Sequence, residues 1–75
     1  MVINNRLLGG RIRELRQAKG IPMETVAKAA GLSVSRYTRI ELGCAGMGLR
    51  ELDSICDLLG VFPAELVRDA TVPSL

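Results

Sequence analysis

The stretch VAKAAGLSVSRYTRIELG, Val26 to Gly43, decides the fold. Val26 together with the small residues Ala27, Ala29 and Ala30 reads as a short helix, thin enough for a neighbour to approach. Gly31 supplies a left-handed stop, and Leu32 the apolar contact that commonly follows one. Ser33 is placed to cap a further short helix in which Tyr37 and Ile40 face inward, while Val34, Ser35, Thr38 and Arg39 face outward. Gly43 stops it. Two short helices around a glycine turn make a helix-turn-helix unit.

Outward from this unit the pattern stays helical. Asn4 or Asn5 can cap a first helix running to about Lys19, with Leu8, Ile12 and Leu15 on one face and Arg11, Arg13 and Arg16 on its flanks. Gly9 and Gly10 each weaken that helix by up to about 1 kcal/mol relative to alanine, so they either permit close packing or mark where the helix begins. Gly20 ends it, and Pro22 suits the first position of the second helix because its φ is already helical and its missing N–H would have had no partner. Cys44 to Gly48 is a glycine-punctuated loop. Leu49 to Leu59 is a fourth helix with Leu49, Leu52, Ile55, Cys56 and Leu59 at core spacing, and Gly60 ends it. Pro63 opens a fifth helix through Leu66 to about Arg68. Residues 1–69 are expected to form one all-α, five-helix domain, and Ala70 to Leu75 a flexible C-terminal tail.

Charge is distributed unevenly. The net charge is only +2, yet residues 1–43 carry eight basic against three acidic side chains (+5), and residues 44–75 two against five (−3). The basic half contains the helix-turn-helix, which points to a polyanionic partner for one face; the plainer alternative is a solvated helix surface. A helix laid in the major groove of DNA meets base edges with residues placed as Val34, Ser35, Thr38 and Arg39 are here.

Seventy-five residues allow one domain with a small core, and 48% hydrophobic residues with positive mean hydropathy are more than a lone domain of this size needs. A second copy is the expected source of extra burial. Leu59, Val61, Phe62, Leu66 and Val67 cluster near the C-terminal end and are assigned to that dimer face, with core membership as the alternative. Cys44 and Cys56 form no metal-binding or disulfide pattern, and with no histidine no metal site is expected. Nothing resembles a signal peptide or a membrane span, so a cytoplasmic protein with free thiols and no membrane association is expected. Cys44 lies in a loop close to where DNA would pass, and its oxidation would be a route of regulation.

The chain resembles the Xre family, the Cro/CI phage-repressor-like helix-turn-helix domains, over roughly Leu8 to Val67. The resemblance rests on the joint order and spacing of RIRELRQAKG in the first helix, VAKAAGLS across the turn, RIELG closing the third helix, and LLGVFPAEL after the fourth. It implies a compact lambda-repressor-like DNA-binding domain with the recognition helix at Ser33 to Glu41. Val34, Ser35, Thr38 and Arg39 would then read bases, and Arg39 is suited to a forked contact with guanine worth about 1–3 kcal/mol of discrimination. Arg16, Met23, Lys28 and Arg36 would lie along the DNA backbone, Met23 through the N–H groups at the start of helix two. Arg16 would also pair with Glu41, holding a bidentate carboxylate while keeping donors for a phosphate.

This chain also departs from the family pattern. Pro22 and Met23 stand where relatives carry a serine cap and a glutamine, and Cys44-Ala45-Gly46-Met47-Gly48 replaces a more polar or basic loop. Fewer side-chain phosphate contacts imply weaker nonspecific affinity and a shallower salt dependence. The expected function is sequence-specific binding of double-stranded DNA by a homodimeric transcriptional regulator, a repressor by resemblance. Its operator would be a palindrome with half-sites about one helical turn apart. No cofactor is expected. A protein-interaction module of antitoxin-like or antirepressor-like type is the rival, favoured by Met23, Val34, Cys44 and Met47, and a regulatory protein partner is compatible with either. Enzymatic activity is the poorest candidate, because no nucleophile or paired-carboxylate motif is present.

Overall fold

The computed structural model describes residues 2–73, and two of its helices begin where a side chain can bond otherwise unpaired backbone N–H groups. Helix α1 spans Asn5–Ala18. Asn4 caps it, its Oδ1 accepting from the N–H groups of Arg6 and Leu7 at 2.9 and 3.0 Å. Helix α2 spans Met23–Ala29, and Pro22 precedes it as the cap in extended conformation, one residue outside the expected position. Its carbonyl still accepts from the N–H of Thr25 at 3.1 Å. Helix α3 spans Val34–Glu41, with Ser33 Oγ accepting from the Arg36 N–H at 3.1 Å. Helices α4, Leu49–Leu59, and α5, Pro63–Asp69, complete the five.

The turn between α2 and α3 shows how the chain reverses. Gly31 has φ of +70°, a conformation that a side chain would strain. Around it the Leu32 N–H donates to the Ala27 carbonyl at 2.8 Å and the Gly31 N–H to the Lys28 carbonyl at 3.1 Å. This is the Schellman pattern, which satisfies the last carbonyls of α2 and aims the chain into α3.

Helix α1 packs on α3 and α5, α2 on α3 and α4, and α4 on α5. The core is built from Leu8 and Ile12 of α1, Val26 and Ala27 of α2, Tyr37 and Ile40 of α3, and Leu52, Ile55, Cys56 and Leu59 of α4, closed by Leu66 and Ala70. Leu15, Leu32, Met23 and Met47 pack against its margin. Leu49 departs from its expected core position and is 86% exposed. It is the first residue of α4, and the packed face of that helix starts with Leu52.

Two features depart from a purely helical reading. Val2–Ile3 (β1) pairs antiparallel with Thr71–Val72 (β2), Val2 opposite Val72 and Ile3 opposite Thr71. The Asn4 N–H continues the pairing by donating to the Ala70 carbonyl at 2.8 Å. The segment expected as a frayed tail is therefore packed and bonded over Ala70–Val72, because buried Ala70 anchors it and β1 satisfies its backbone; Ser74 and Leu75 lie outside the described residues.

Candidate nucleic-acid interface

Helix α3 is held from behind at unusually short range. A Cβ on Gly9 would lie 2.2 Å from the Ile40 carbonyl oxygen and 2.6 Å from that of Glu41, so α1 and α3 touch backbone to backbone. Of the two explanations for the Gly9-Gly10 pair, close packing applies to Gly9, since α1 already begins at Asn5; a Cβ on Gly10 would meet nothing within 4 Å. Just past the same end of α3, Gly43 sits against the backbone of Arg6, where a Cβ would lie 2.6 Å from the Arg6 Cα.

A buried ion pair joins the same two helices. Arg16 Nε donates to Glu41 Oε2 at 2.6 Å and Nη2 to Oε1 at 3.1 Å, a bidentate fork with side chains 11% and 4% exposed. Arg16 Nη1 donates to the Ile21 carbonyl at 3.0 Å, tying the α1–α2 turn to the same group. All three guanidinium nitrogens are thus engaged internally, and the hydrogen bonds to Glu41 raise the Arg16 pKa above its ordinary value. The expected ion pair is present in the geometry, and with one N–H of each guanidinium nitrogen engaged and its side chain 11% exposed, Arg16 acts as a buried fastener of α3. Tyr37 Oη lies buried beside this pair with no hydrogen-bond partner among the described residues, and burial pushes its phenol pKa up.

The opposite face of α3 is open. Val34, Ser35, Arg36 and Arg39 are exposed, so three of the four expected base-reading residues project freely from the helix. Thr38 is half-buried. Its hydroxyl donates to the Val34 carbonyl at 2.7 Å and lies 3.8 Å from Met23 Sδ, which leaves its methyl group and oxygen lone pairs as its outward chemistry. Lys28 of α2 is exposed, while Met23 is half-buried, packing against the core with its Sδ beside the Thr38 hydroxyl.

Part of the positive charge is neutralised internally. Arg11 bonds Glu14 at 3.1 Å and Asp69 at 3.3 Å, tying α1 to α5. Arg36 Nη2 lies 3.5 Å from Glu51 Oε1 of α4, a contact that sequence reasoning missed. The available signal was local: Glu51 is the third residue of α4, where a carboxylate reaches back to the cap N–H, and its Oε2 accepts from the Gly48 N–H at 3.3 Å. Among the described residues Arg6, Arg13, Lys19, Lys28 and Arg39 make no ion pair.

The residues assigned to a dimer face divide. Leu59 at the end of α4 and Leu66 of α5 are fully buried core residues and offer no surface, because α4 packs on α2 and α5 on α1. Val61 and Val67 are half-buried at the core margin, and Phe62 is 73% exposed. Phe62, Val61 and Pro63 line an open groove of about 390 Å³ together with Asp53, Cys56, Asp57 and Gly60. Cys44 is exposed and Cys56 buried, and burial raises the Cys56 thiol pKa. Among the described residues no group of His, Cys, Asp or Glu is arranged to hold a metal ion, and no helix is long and apolar enough to cross a membrane.

Comparison with known proteins places this geometry. A family model for the helix-turn-helix domain matches residues 7–70. Among solved structures, the restriction-modification controller protein C.AhdI from Aeromonas hydrophila is 36% identical, covering 81% of this chain and 92% of that one with a TM-score of 0.75. The clp gene regulator ClgR from Corynebacterium glutamicum is 26% identical over 93% of this chain and 91% of that one, TM-score 0.79. SinR, a master regulator for biofilm formation solved in complex with DNA, is 27% identical over 79% and 95%, TM-score 0.71. The N-terminal DNA-binding domain of SinR from Bacillus subtilis also matches. No curated protein matches the chain. With a family model covering most of its length and a five-helix arrangement shared with Cro/CI-type regulators, the chain belongs to the helix-turn-helix domain family in its Xre-like, lambda-repressor form.

Proposed function

We propose that the protein is a transcriptional regulator that binds double-stranded DNA sequence-specifically, with α3 in the major groove. The observation that carries this reading is the two-sidedness of α3. Its inner face is clamped to α1 by glycine contact and a buried ion pair, and its outer face presents Val34, Ser35 and Arg39 to solvent on a rigid mount. Arg39 is the candidate for a forked guanine contact, Val34 for a thymine methyl group, and Ser35 and Thr38 for adaptable contacts. Lys28, Arg36 and the backbone N–H groups near Met23 would position the domain on phosphates.

One such helix spans too few base pairs for useful selectivity, so the proposal includes a homodimer on a palindromic operator. Its contact is assigned to Phe62 with the margins of Val61 and Val67, Leu59 and Leu66 being excluded by burial. Phe62→Asp is expected to give a folded monomer by light scattering; an unchanged dimer removes this surface from consideration. The protein-interaction alternative loses two of its four supports, since Met23 and Met47 pack against the core rather than forming an outward apolar patch.

Selection of bound sequences from a random duplex library tests the whole reading. A palindromic motif is expected, and Arg39→Ala is expected to relax it at one position per half-site. Recovery of no motif, or of one indifferent to Arg39, would reject the groove assignment.

A further inference from the structure

The loop between α3 and α4 contains no cationic side chain, and the charged group that serves it is a carboxylate. Glu51 is only 20% exposed and uses both oxygens: Oε1 faces Arg36 Nη2 at 3.5 Å, and Oε2 accepts from the Gly48 N–H at 3.3 Å. Arg36 follows Ser35 directly on the exposed side of α3. The groups that Glu51 occupies are therefore the two that a backbone phosphate arriving beside α3 would seek, a guanidinium and a free N–H at a helix start.

We infer that Glu51 is a specificity-determining residue that restrains phosphate-directed, sequence-independent binding by holding Arg36 and the first turn of α4 in the free protein. The inference rests on the duplex-binding reading above. A phosphate at Arg36 must displace a carboxylate and then remain beside it, so contact with the DNA backbone alone gains little. A sequence that also satisfies Arg39 and Val34 gains base contacts that outweigh loss of the pair. Discrimination between right and wrong sequences thus increases because binding to wrong ones is weakened. The pair is suited to opening, being long, single and about half-exposed on the arginine side.

The test is binding of the full chain to a random-sequence duplex, followed by fluorescence anisotropy between about 50 and 200 mM salt. Glu51→Gln is expected to raise affinity roughly tenfold at low salt and to steepen the log–log salt slope by about one. Glutamine still accepts from the Gly48 N–H, so α4 stays capped, which a thermal melt checks. Should it unfold nevertheless, Glu51→Asp keeps the charge but withdraws it from Arg36, and is expected to shift binding in the same direction.

Asp53→Asn removes an equal charge from the same helix at a residue without an ion pair among the described residues, and is expected to change the slope little. In an Arg36→Gln background the Glu51→Gln gain is expected to shrink to the Asp53→Asn level. A folded Glu51 variant with wild-type slope, a gain equal to that of Asp53→Asn, or a gain that persists without Arg36 overturns the inference alone. Failure of the wild-type chain to bind any duplex at the lowest salt overturns the DNA reading and this inference together.

Discussion

Among the described residues two ion pairs tie α3 to the rest of the molecule, and they differ in every respect that determines strength. Arg16–Glu41 is forked, short and buried, and it lies where glycine lets two helix backbones meet. Arg36–Glu51 is a single 3.5 Å contact with the arginine half in solvent. A buried pair that loses one partner leaves an uncompensated charge in a poorly solvated place, whereas a surface pair that opens hands both groups to water. The first acts as a fixed mount for the helix. The second is compatible with a contact that is exchanged when something else arrives.

The mount should therefore be the costliest thing to break. Glu41→Ala is expected to lower stability by about 3–5 kcal/mol, because Arg16 remains buried without its carboxylate. Urea titration followed by helical circular dichroism measures this, and a loss under about 1 kcal/mol would place the pair in the surface class after all. Next in size is Gly9→Ala, where the added methyl group meets the Ile40 and Glu41 carbonyls and the overpacking is expected to cost about 1–3 kcal/mol. Its neighbour sharpens the point: Gly10→Ala has open space and is expected to stabilise α1 by up to about 1 kcal/mol in the same titration. Equal effects at the two glycines would show that helix propensity, rather than contact between α1 and α3, governs this segment. The smallest stability change is expected for Arg36→Ala, within about 0.5 kcal/mol of wild type, with the salt slope of binding to the selected palindromic sequence shallower by about one. A large drop in melting temperature would make Arg36–Glu51 a second mount and remove the contrast.

Much of this architecture is legible in the amino-acid order, for local reasons. Asn4, Ser33, Gly20, Gly31, Gly43 and Gly60 act within one turn of themselves, so they mark helix ends closely. Tyr37 and Ile40 face inward because helical spacing places them opposite Ser35 and Arg39. What escapes such reading depends on partners far away in the chain. Apolar spacing puts Leu59 on the apolar face of α4 and Leu66 on that of α5 without saying whether this chain or another covers them, and here the chain's own core does. Two apolar residues at each end carry no signal that they will pair, and β1 and β2 adjoin α1 and α5, which pack side by side. Arg36 and Glu51 stand on different helices, and their contact follows from how α4 leaves the loop. The candidate site divides the same way: outward residues on α3 could be named, but Arg16 had to be seen in place before each of its guanidinium nitrogens was found to donate internally.

The meeting of Val2 with Val72 has a topological consequence. A chain whose first and last described segments lie side by side is nearly a ring with a single cut, and the position of that cut matters little to helices that pack through their own faces. Bridging the two ends with a few residues and opening the backbone at Ala45–Gly46, in the loop before α4, would yield a circular permutant. It would keep α1 against α3 and also bring α4 to the front of the chain.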